Sequence, residues 1–138
     1  MATIVITDLL ASCCCYLCAD VVGGKVEVHP NNLNATNGQE VVIQCTTEAP
    51  TEAPYDYDYG VEWEFLSNNS ETRMAICPGS GTYVLDEVVG KYECTNLRNN
   101  HSLIIVDVGF NDSGTYFCIE DAGRGPGKDS ARLTVLRK

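Results

Sequence analysis

Apolar and polar residues alternate along much of the chain, and a period of two marks strands with one buried face. Val61, Trp63 and Phe65 are separated by Glu62 and Glu64. That predicts a strand with three apolar side chains inward and both carboxylates outward. Ser102–Val108 repeats the pattern, with Leu103 and Ile105 inward. In the stretch ending at Cys118, Tyr116 and Cys118 share the inward face, so Phe117 and Ile119 must face out. Glu40–Cys45 predicts a strand burying Val41, Ile43 and Cys45. Lys25–His29 predicts an edge strand ended by Pro30, which has no N–H to give a ladder. Turn residues punctuate these runs: Asn37-Gly38, Pro78-Gly79-Ser80-Gly81, and a polar corner holding Gly109, Asn111, Asp112 and Gly114.

The stretch Asp112-Ser113-Gly114-Thr115-Tyr116-Phe117-Cys118, taken with Cys45 and Trp63, resembles an immunoglobulin variable-type (V-set) domain. In that family a Tyr two residues before the second cysteine bonds back to a corner of the backbone, and a buried Trp packs on the inter-sheet disulfide. Tyr116, Cys118 and Trp63 hold those places. The resemblance covers about residues 24–137 and implies an all-β, two-sheet antiparallel Greek-key sandwich. It assigns Arg73–Cys77 to strand C′, Gly90–Cys94 to the start of strand D and Ala131–Leu136 to strand G. It implies disulfides Cys45–Cys118 and Cys77–Cys94, and an exposed Lys91–Asp112 ion pair that marks the fold. One departure stands out. Antigen receptors carry Gly-x-Gly three residues before the leucine of strand G, whereas Leu133 lies six residues after Gly127.

Composition narrows the partners. The chain of 138 residues supports one domain. Its balance of 9 basic against 19 acidic residues disfavours nucleic acid, which needs Lys and Arg to neutralise phosphates. The eight cysteines fall in two groups. Cys45, Cys77, Cys94 and Cys118 are spread through the body and argue for an oxidising compartment. Cys13, Cys14, Cys15 and Cys18 lie in a moderately apolar run ending in small residues. That run reads as a secretory signal peptide, residues 1–19, with the domain spanning 20–138. A cysteine-rich palmitoylation or metal site is the alternative, although no second ligand cluster follows it.

Four sequons, at Asn34, Asn68, Asn100 and Asn111, predict a glycoprotein. Catalysis is not expected, because His29 and His101, read as strand-end or loop residues, have no nucleophile, phosphate loop or metal-ligand partner in the sequence. No cofactor is expected.

Residues 46–60 are low-complexity sequence, a repeated Thr-Glu-Ala-Pro followed by Tyr55-Asp56-Tyr57-Asp58-Tyr59. The two prolines exclude a central strand. By the resemblance this is an expanded B–C loop. Its Glu48, Glu52, Asp56 and Asp58 go with no basic residue, a context suited to tyrosine sulfation and to a basic patch on a partner.

Taken together, these features predict an extracellular protein-recognition module of an immune or self/non-self receptor, either secreted or the outer part of a membrane protein. The binding residues would be Tyr55, Asp56, Tyr57, Asp58 and Tyr59 in the loop, and Glu62, Glu64, Phe117 and Ile119 on the GFCC′ face. Tyrosine supplies contact area at low entropic cost. A homophilic adhesion module, dimerising through the same face, is the alternative.

Overall fold

The computed structural model describes residues 26–48, 60–68, 71–78, 84–97, 99–120 and 127–137. Among the described residues, nine strands form two sheets. They are β1 (Val26–His29), β2 (Asn32–Thr36), β3 (Val41–Thr47), β4 (Val61–Ser67), β5 (Arg73–Cys77), β6 (Tyr92–Leu97), β7 (Asn100–Ile105), β8 (Gly114–Glu120) and β9 (Lys128–Leu136). One sheet has the order β1-β3-β7-β6 and the other β2-β9-β8-β4-β5. The chain changes sheet between β1 and β2, β2 and β3, β3 and β4, β5 and β6, and β7 and β8, so the fold is the two-sheet immunoglobulin sandwich.

Among the described residues, all strand pairs are antiparallel except β2 with β9, where Leu33 lies level with Leu133 and Ala35 with Val135. The sequence pattern did not reveal β2. Its residues Asn32-Leu33-Asn34-Ala35-Thr36 are mostly polar and bury only Ala35 fully. Pro30 interrupts the first strand as expected, and the chain then joins the opposite sheet. β9 also begins three residues before the predicted start.

The inward alternation gives the core. Val41, Ile43 and Cys45 from one sheet meet Val61, Trp63, Tyr116, Cys118 and Leu133 from the other, all buried. Cys45 and Cys118 are joined across the sheets with Cα atoms 6.5 Å apart. Trp63 sits level with Cys118 in the β4–β8 ladder. A second bridge, Cys77–Cys94, ties edge strand β5 to edge strand β6 of the other sheet.

The corner before β8 is a polar knot around Asp112. A single 3-10 turn, Phe110–Asp112, brings the Asp112 carboxylate back to accept from the Gly109 N–H at 2.7 Å. Tyr116 donates its hydroxyl to the Asp112 carbonyl at 2.8 Å. Lys91 Nζ lies 2.6 Å from the same carboxylate and also donates to the carbonyls of Val106 (3.0 Å) and Asp107 (2.9 Å). The expectation of an exposed pair needs correction on its acidic side, since the Asp112 side chain is only 10% exposed. Its position under the corner explains this, because the backbone turns around the carboxylate to satisfy it. Burial and the nearby Asp112 charge push the Tyr92 hydroxyl up to about 12, despite its bond to Tyr116.

His101 takes the strand-end setting, one of the two expected for it, and points into the core. It lies inside β7, level with Cys45, fully buried, with Nε2 3.2 Å from Thr47 Oγ1. Burial lowers its pKa from 6.5 to about 4. The unfolded chain therefore takes up this proton at a higher pH than the folded one. The His101 contribution to stability is intact above pH ~6.5 and is lost as pH falls from there towards ~4, by up to roughly 3 kcal/mol. Denaturant titrations between pH 7 and 4 should show this loss in the wild type and a flatter profile in His101→Gln. Equal slopes would mean that other groups govern the acid side.

Candidate functional site

The outer face of the β2-β9-β8-β4-β5 sheet is the candidate site. Register builds it. Across β4 and β8, Glu62 lies opposite Ile119 and Glu64 opposite Phe117. The alternation that buries Val61, Trp63, Phe65, Tyr116 and Cys118 leaves these four side chains half-buried on the outside. They form two adjacent cross-strand pairs, each joining one acid and one apolar residue.

Two cations lie against Phe117 on this face, and the sequence pattern did not single them out. Arg73, opposite Leu66 on β5, forms an ion pair with Glu64 at 3.2 Å and places its guanidinium 4.7 Å from the centre of the Phe117 ring. Lys128, opposite Ile119 on β9, places Nζ 4.4 Å from the same ring. Phe117 is therefore the middle of a row, cation, ring, cation, and not a bare apolar patch. Each such contact contributes about 0.5–1 kcal/mol at an exposed site. Only a fixed register brings Arg73 and Lys128 to the ring from strands on either side, which is why sequence spacing could not show it.

In chemical terms the row can accept an apolar side chain against the ring edge and offer charges of both signs around it. The predicted loop residues Tyr55, Asp56, Tyr57, Asp58 and Tyr59 lie outside the described residues, as does the predicted signal segment 1–19. Asn34 on β2, Asn68 after β4, Asn100 at the start of β7 and Asn111 in the corner are all exposed. Among the described residues there is no cluster of His, Cys, Asp and Glu that could hold a metal ion, and no helix long and apolar enough to cross a membrane.

A two-sheet sandwich with a disulfide between the sheets, a buried Trp beside it and a tyrosine bonded to its own corner defines the immunoglobulin-like class. A family model for the immunoglobulin V-set domain matches residues 28–136. The chain belongs to the immunoglobulin V-set family. No curated protein sequence matches it. Domains of this family are in general extracellular recognition modules rather than enzymes, and the two disulfides fit an oxidising compartment.

Proposed function

We propose that this domain recognises a protein ligand as the outer module of an immune or self/non-self receptor. The outer face of β9, β8, β4 and β5 would be its contact surface. The arrangement of Arg73, Phe117 and Lys128 beside Glu62 and Glu64 carries this reading. Phe117 supplies a half-buried aromatic centre of the kind that dominates binding energy. The surrounding charges set orientation and exclude mismatched partners. The acidic, tyrosine-rich segment 48–59 supports the reading through its composition. It would steer a basic ligand towards the face.

A screen of the glycosylated domain against arrayed cell-surface ectodomains, with the domain itself in the array, tests this. A specific partner whose association slows at high salt supports recognition with electrostatic steering. Binding only to itself moves the reading to homophilic adhesion, and binding to nothing in the array counts against both.

A further inference from the structure

The corner that holds Asp112 carries a feature that recognition through the sheet face does not use. Phe110 leaves 48% of its surface in solvent. Arg137 places its guanidinium 5.7 Å from the ring. The next residue, Asn111, is exposed and heads the sequon Asn111-Asp112-Ser113. Phe110 and Asn111 line one shallow open cleft together with Lys91, Asp107, Gly109 and Asp112. A large apolar side chain half in water next to a glycan acceptor, on the rim of a polar depression, is a matched pair of features.

We propose that Asn111 is N-glycosylated and that the first N-acetylglucosamine lies in this cleft, its apolar face on Phe110 and its polar edge towards Asp107. The sugar's C–H groups would meet the negative face of the ring, and exposed apolar surface would be covered. The site rests on the extracellular reading, since its co-reactant is the lipid-linked oligosaccharide of the secretory route. In the transfer the Asn111 amide nitrogen forms a bond to C1 of the first sugar. The bond from C1 to the lipid pyrophosphate breaks, the pyrophosphate leaves, and the amide gives up one proton. Ser113 Oγ, the hydroxyl the sequon requires, accepts from the Val135 N–H at 2.9 Å. Transfer before β9 docks would leave this hydroxyl free of the Val135 N–H.

The test uses the full chain secreted from a glycosylating cell, with Asn34→Gln, Asn68→Gln and Asn100→Gln leaving Asn111 as the acceptor. Glycopeptide mass spectrometry should find most of Asn111 modified. An endoglycosidase then trims the glycan to its first sugar. With Phe110 present, the trimmed protein should melt about 3 °C above the bare Asn111→Gln variant. With Phe110→Ala, that gap should close. Secretion with Asn111 unmodified, or an equal gap with and without Phe110, overturns the proposal. Retention of an unmodified chain in the cytosol would overturn both the site and the extracellular reading.

Discussion

Replacing Cys45 and Cys118 together by alanine is expected to lower the unfolding free energy by about 4 kcal/mol, much of the stability of a domain this size. The bridge closes a loop with a sequence separation of 73 residues, so its loss frees a large part of the unfolded chain. Both sulfur positions are fully buried, with Trp63 level with Cys118, so truncation also removes packing in the middle of the core. The Cys77–Cys94 bridge has a separation of 17 and ties two edge strands. Its removal should cost less, roughly 3 kcal/mol by loop closure alone. Urea titrations of the two double variants give the comparison. A smaller loss for Cys45/Cys118 than for Cys77/Cys94 would contradict the place given to the central bridge.

Gly114→Ala is expected to destabilise the domain by about 3 kcal/mol, the upper range for an overpacked core position. Gly114 opens β8 and is buried. A methyl there would run into the Leu66 carbonyl oxygen and come within 2.7 Å of Phe65 Cε1. Neither neighbour can yield cheaply. Leu66 belongs to the β4–β8 ladder, level with Thr115, and the Phe65 ring is held with its centre 4.8 Å from that of Tyr116. The strand therefore approaches its neighbour closely because the corner residue lacks a side chain. Thermal and denaturant unfolding of the variant measure the effect. A loss under about 0.5 kcal/mol would mean that β8 can shift outward without disturbing the Tyr116 corner.

The strands with strict alternation were legible because burial on one face is a local, period-two property. Val61–Phe65, Val41–Cys45 and Tyr116–Cys118 all face as their patterns predict. Phe117 and Ile119 were placed on the outer face by the same logic. β2 was not legible, since an edge strand paired along one side needs little apolar content, and Asn32–Thr36 has little. The inward side of His101 follows from the same alternation, two residues before Leu103, but its polar neighbours Asn100 and Ser102 hid it, and only the β3 register supplies Thr47 as its partner. The cations flanking Phe117 escaped notice for a similar reason. Arg73 and Lys128 are distant in sequence from Phe117 and from one another, and they converge only when β5, β4, β8 and β9 lie side by side. Tertiary register decides such groupings, and one-dimensional patterning carries no record of it.

The outer face of β9, β8, β4 and β5 is held to be the binding surface, and one paired comparison tests that most directly. Phe117→Asp alters the centre of this face, while Val42→Asp alters an exposed residue on the other sheet. Both variants, with the wild type, are titrated against the ectodomain that binds most tightly in the cell-surface array, and the fold of each is checked by thermal unfolding. Phe117→Asp should weaken binding at least tenfold, a loss of about 1.4 kcal/mol or more, with Val42→Asp unchanged. Wild-type affinity in folded Phe117→Asp, or a loss confined to Val42→Asp, would contradict the assignment of this face.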